Sequence, residues 1–156
     1  MIEADEWNRS FHHYFPHIAV ITNIDKEHLD TYRTYAGVVT GFKKYIKNVP
    51  ADGFVVANKR DAGIRQAVKA ARAKIVWYNK QKFHRHPLVI PGEHNQLNAE
   101  AAWTAVKLLG VTRVVADTVF RTYQGAWRRM ERLHIAERTA RGARAAELSS
   151  ASFKVL

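Results

Sequence analysis

The stretch from Ile18 to Tyr32, IAVITNIDKEHLDTY, constrains this chain more than any other. Ile18 to Thr22 is apolar and largely β-branched. Such side chains are stiff at χ1 and suit an extended backbone, so the run predicts a buried strand. Asn, Asp, Glu and His follow at once, and Asp25 is placed to cap a helix. From Leu29 the apolar positions Leu29, Tyr32, Ala36, Val39, Phe42, Ile46 and Val49 recur at helical spacing. They predict one helix from Leu29 to about Asn48, with Pro50 just beyond it. A polar turn between a buried strand and a helix lies at the carboxyl end of the strand, where open α/β sheets hold ligands. His28 and its acidic neighbours are therefore candidates for chemistry as well as for capping.

The same alternation continues. Gly53–Ala57 and Lys74–Tyr78 are short apolar runs, with a helix predicted between them from the Asp61 cap to about Ala73. Pro87–Ile90 predicts one more short strand, and Pro91-Gly92 breaks the chain before a helix from about His94 to Leu109, closed by Gly110. Thr112 predicts the cap of a last helix, with Val115, Val119 and Tyr123 on its inner face and Gly125 ending it. Strands alternating with helices through short turns predict an α/β fold, a mostly parallel sheet flanked by helices. From His134 onward the sequence is rich in Ala and Arg with little periodicity.

Charge narrows the partners. Lys and Arg number 25 against 14 Asp and Glu, which favours anions, either nucleic acid or phosphorylated small molecules. Cysteine is absent, which excludes disulfides and thiolate metal sites and suits the cytoplasm. No apolar run approaches the length needed to cross a bilayer, and no basic-then-apolar leader follows Met1, so a cytoplasmic, non-membrane protein is expected.

Four groupings could carry chemistry. Glu3 and His28 are both expected at strand ends, and a carboxylate and an imidazole can share a divalent cation such as Mg²⁺. His12, His13 and His17 also invite a metal, although a mixed His and aromatic stretch is more often an ordinary packed loop. In PGEHNQLN, Asn95 and Asn98 stand three apart on one helical face, and their amides suit the edge of an adenine as well as capping. In QGAWRR, Arg128 and Arg129 could bind phosphate, or could form a solvated basic face.

Taken in order, EADEWNRSF, ITNIDKEHLDTY, IPGEHNQLNAEAA and YQGAWRRME resemble the ATP-dependent Mur ligases of peptidoglycan synthesis. Within that family they are most like the ligases that act on UDP-N-acetylmuramate and L-alanine. The resemblance implies Mg²⁺ ligands at Glu3 and His28, ATP-binding residues at His94, Asn95, Asn98 and Arg129, and a catalytic role for Arg129 near the phosphates. It also implies muramate-side residues at Asp5, Arg9 and Ser10. Residues 1–133 would be the carboxyl-terminal part of a central, P-loop-type domain, lacking its first strands and its phosphate loop. Residues 134–156 do not follow the family and form a tail. No G-x-x-x-x-G-K-[ST] occurs in the sequence, nor does the Asp-Asp-Tyr-Ala-His-His-Pro stretch of the family's last domain. An incomplete enzyme, inactive by itself, is the expectation.

A basic nucleic-acid-binding protein is the alternative. Lys43, Lys44, Lys47, Lys59, Arg60, Lys80, Lys82 and Arg85 would form its patch, with Trp77, Tyr78 and Phe83 for stacking. It accounts for the charge but not for the EADE, EHLD and EHN segments. A non-catalytic remnant is a third possibility.

Overall fold

The computed structural model describes residues 1–79 and 85–125. Three β-branched runs form a parallel sheet in the order β1 (Ile18–Ile21), β2 (Phe54–Asn58) and β3 (Lys74–Tyr78). Ile18 lies opposite Phe54 and Ile21 opposite Ala57, and Phe54 in turn faces Lys74. All three strands therefore end at one edge. β1 pairs with β2 alone, so its other side carries no strand among the described residues.

Alternation along the strands divides two cores. On one face Ala19, Ile21, Val55 and Ala57 pack against Val39, Ile46, Val49 and Ile64. On the other, Val56 and Tyr78 meet Ala101. The first face is covered by α1 (Leu29–Tyr32), α2 (Tyr35–Ile46) and α3 (Ala62–Ala67), the second by α4 (Glu93–Lys107). α5 (Arg113–Thr122) rests on α4. No helix among the described residues is long and apolar enough to cross a membrane.

Several expectations change. The helix predicted over Leu29–Asn48 is two, because Arg33 adopts φ 64° and Thr34 caps α2 by accepting from the Gly37 amide at 3.1 Å. Gly37 sits so close to α1 that a Cβ there would lie 2.1 Å from the Tyr32 carbonyl oxygen. The helix after Asp61 gives way to a 3₁₀ turn over Val68–Ala70. Pro87–Ile90 forms no strand; the His86 backbone instead exchanges hydrogen bonds with the Gln96 side chain, at 2.8 and 3.1 Å. On α5 the inner face is not Val115, Val119 and Tyr123, which are exposed, but Ala116 and Phe120. Among the described residues the helix packs mainly on α4, which leaves a narrow buried stripe, and small Ala116 allows the close approach. Residues 1–6 are neither helix nor strand, so Glu3 does not stand at a strand end in this structure.

Candidate functional site

His28 opens α1 in the left-handed region, at φ 51° and ψ 42°, uncommon for a non-glycine residue. Its carbonyl accepts from the amides of Thr31 and Tyr32 at 2.9 and 3.0 Å, so the bend holds the imidazole at the mouth of the turn leaving β1. His28 Nε2 lies 3.4 Å from Glu6 Oε1, with both side chains about one-third exposed (31% and 33%). Glu27 joins them: one ligand atom from each of Glu6, Glu27 and His28 lies within 4.8 Å of the others. Glu3, the carboxylate expected beside His28, lines the same cavity of about 500 Å³, as does Asp25.

Tyr32 organises this corner. Its hydroxyl donates to the Glu6 carbonyl at 2.7 Å, and burial pushes its phenol up to about 12. Arg9, at φ 59°, places its guanidinium 5.7 Å from the Tyr32 ring centre and donates to the Thr31 carbonyl at 3.2 Å. Asp5 and Ser10 are engaged locally: Asp5 accepts from the Trp7 amide at 2.8 Å, and Ser10 donates to the Trp7 carbonyl at 2.9 Å. Together they shape the turn that presents Glu6.

The remaining expected residues gather at the start of α4. Asn95 donates to the Pro91 carbonyl at 2.6 Å, while His94 and Asn98 are exposed. Gly92, at φ 106°, lets the chain turn so tightly that a Cβ there would sit 2.7 Å from His94 Cε1. A cavity of about 540 Å³ opens beside this turn, lined by Arg85, Ile90, Gly92 and Gln96 among others. Arg128 and Arg129 lie outside the described residues, as do Lys80, Lys82 and Phe83.

The two other groupings fare differently. His12, His13 and His17 form no three-ligand group among the described residues. His12 instead hydrogen-bonds the Gly41 carbonyl at 2.9 Å and stacks on Phe11, and burial lowers its pKa. Tyr78 is 2% exposed and Trp77 packs against the core, so neither offers an open ring face to a base. Sequence reasoning missed Glu6, whose signal was its place in the same acidic run as Glu3.

Comparison with known proteins places the chain in a family. The model of the Mur ligase middle domain matches residues 3–89, which include Glu3 and His28 and stop short of His94. The UDP-N-acetylmuramate–L-alanine ligase of Caldanaerobacter subterraneus subsp. tengcongensis is 33% identical over 83% of this chain and 34% of its own length. That of Renibacterium salmoninarum is 36% identical with the same coverage. The chain thus spans about a third of the length of these relatives. Among solved structures, MurF from Acinetobacter baumannii superposes with a TM-score of 0.69 at 21% identity, over 83% of this chain and 34% of that one. The UDP-N-acetylmuramate:L-alanyl-gamma-D-glutamyl-meso-diaminopimelate ligase from Neisseria meningitides gives 0.69 at 21%, over 76% and 44%. With its fold and more than half its length matched, this chain belongs to the Mur ligase family, through that family's middle domain.

Proposed function

We propose that this chain is part of an ATP-dependent carboxylate–amine ligase that joins L-alanine to UDP-N-acetylmuramate. The observation that carries the reading is the convergence of Glu6, Glu27 and His28, with Glu3 on the same cavity wall, at the carboxyl end of β1. Carboxylate oxygens with one imidazole form a donor set suited to Mg²⁺, which keeps several waters and phosphate oxygens in its shell. These residues fit the ion, and a bound Mg²⁺ supplies charge neutralisation at phosphate oxygens.

In the proposed reaction the γ-phosphoryl group of ATP passes to the muramate carboxylate, giving an acyl phosphate. The alanine amine attacks that carbonyl, and phosphate leaves from a tetrahedral intermediate. No residue here forms a covalent bond to substrate. His28 and the surrounding carboxylates hold the ion, while His94, Asn95 and Asn98 hold the adenine end of ATP. Arg129 meets the phosphates, and Asp5, Arg9 and Ser10 support the muramate side.

By itself the 156-residue chain does not turn over, because it contains no G-x-x-x-x-G-K-[ST] to cradle the phosphates. A single oriented donor of that kind contributes on the order of 3 kcal/mol to a transition state. The test combines a phosphate-release assay with ATP, Mg²⁺, UDP-N-acetylmuramate and L-alanine, and an NMR titration with ATP and Mg²⁺. The expected outcome is no alanine-dependent release, with weak, salt-sensitive shifts at residues 23–28 and 92–98. Alanine-dependent turnover overturns the incompleteness, and unmoved resonances in both segments overturn the ligase reading.

A further inference from the structure

The turn that carries His28 is fixed from outside itself. The Asn58 side chain, at the end of β2, donates to the Thr22 carbonyl at 3.0 Å across 36 residues. Its own Oδ1 accepts from Asn79 Nδ2 at 3.0 Å and from the Arg60 amide at 3.1 Å, so the orientation of the Asn58 amide is determined. Two residues along the turn, the Ile24 amide donates to Asp61 Oδ2 at 3.3 Å. The other oxygen of the same carboxylate caps α3, accepting from the Ile64 amide at 2.7 Å. Tyr35 donates to the Ile24 carbonyl at 3.4 Å, and Ile24 itself is 3% exposed. A Cβ on Gly63 would lie 3.0 Å from Ile24 Cβ, so α3 closes directly on that side chain.

We infer that Asn58 and Asp61 are positioning residues for the metal-binding turn. They act through the Thr22 and Ile24 backbone on the imidazole four residues further along. The hydrogen bonds among Thr22, Asn23 and Asp25 cannot do this. Thr22 donates to Asn23 and Asn23 to Asp25, which stiffens the turn but refers it to nothing outside. Asn58 and Asp61 refer it to the end of β2 and the start of α3, in the core, where Val55, Val56, Ala57 and Ile64 are fully buried. A cation site needs its ligands held by partners whose own places are set by packing.

The inference rests on the metal reading above, and the experiment separates the two. The chain is labelled on its histidine rings, and His28 is followed by NMR with and without Mn²⁺ in the parent, Asn58→Ala and Asp61→Ser. Serine keeps an N-cap oxygen for α3 and removes the second oxygen that reaches Ile24. Val68→Ala serves as a destabilised control away from the turn. Both test variants should move the His28 ring resonances while leaving His17 in place. Each should weaken Mn²⁺ broadening of His28 by about tenfold or more, the usual cost of losing a group that orients a ligand. Val68→Ala should lower Tm without either effect. Unmoved His28 resonances in both variants, or equal movement in Val68→Ala, overturn the inference. If Mn²⁺ never broadens His28 in the parent, the metal reading falls, and the ring shifts still decide whether Asn58 and Asp61 place His28.

Discussion

The Tyr32 hydroxyl donates to the Glu6 carbonyl at 2.7 Å, so a helix after β1 fixes the segment that precedes it. This contact, with the Arg9 amide donating to the same carbonyl at 3.0 Å, holds Glu6 facing His28 with no strand around it. Tyr32→Phe should lower stability by about 1 kcal/mol, a typical net hydrogen bond, and should loosen residues 5–10 more than the rest. Urea unfolding and amide exchange of the labelled chain measure the two effects.

The carboxylates around His28 can be ranked by titration. His28→Ala should abolish Mn²⁺ binding, and Glu6→Gln should weaken it by about tenfold. Manganese EPR gives both constants. Full affinity in Glu6→Gln with loss in Glu3→Gln would mean that Glu3 holds the ion and that the Glu6–His28 contact gives way to it.

Stability should fall at both ends of the pH scale. Burial pushes the Tyr32 and Tyr78 phenols up to about 12 from 10.0, so the folded chain keeps their protons longer than the unfolded chain does. That contribution is intact below pH 10 and is lost as pH rises from 10 toward 12. Burial lowers His12 below 6.5, so the unfolded chain takes up a proton first as pH drops. Stability therefore declines as pH falls through that value. Urea midpoints across pH check the signs, and the phenolate absorbance of Tyr32 and Tyr78 in the folded chain should appear well above pH 10.0, toward about 12.

Gly37→Ala should destabilise the chain, although alanine normally favours a helix by about 1 kcal/mol. The added Cβ would meet the Tyr32 carbonyl oxygen at 2.1 Å. Relief requires α1 and α2 to move apart, an overpacking cost of about 1–3 kcal/mol. A Tm at or above that of the parent would contradict the close approach.

His86 and Glu100 form the second local tie. The imidazole is fully buried, and its Nε2 lies 2.7 Å from Glu100 Oε2. Glu100→Ala leaves that nitrogen without its partner and should cost about 1–3 kcal/mol, whereas Glu100→Gln should retain most of the stability. Denaturant unfolding of both variants gives the comparison.

Much of this was legible in the sequence, for identifiable reasons. Ile18–Ile21 and Lys74–Tyr78 declare themselves as strands because β-branched runs flanked by polar turns have few other uses. Asp61 and Thr112 declare themselves as caps, whereas Asp25, expected to cap the first helix, accepts from Asn23 instead, and α1 opens at His28 with no side-chain cap. The break at Arg33–Thr34 was hidden because apolar spacing continues through it, while the Arg33 backbone, the Thr34 cap and the close approach of Gly37 to Tyr32 mark it. The inner stripe of α5 was misassigned because valine outranks alanine in apolarity, while close approach to α4 favours the smaller residue. Asn58 left no local signal, and Glu6 only its place in the acidic run of Glu3. Each acquires its role from a partner more than twenty residues away, His28 for Glu6 and Thr22 for Asn58.

The side of β1 that pairs with no strand among the described residues has a consequence for handling the protein. Ile18, Ala19, Val20 and Ile21 carry no charge and no proline, and Val20 is 43% exposed. Sheet proteins commonly guard such edges with lysine, proline or a bulge, because an unguarded edge is a template for other chains. The nearest interruption is Pro16, two residues before the strand begins. Refolding at high concentration should therefore lose material to β-rich aggregates seeded at Ile18–Ile21. A single Val20→Lys gatekeeper should suppress the light scattering without altering the packed face formed by Ala19 and Ile21.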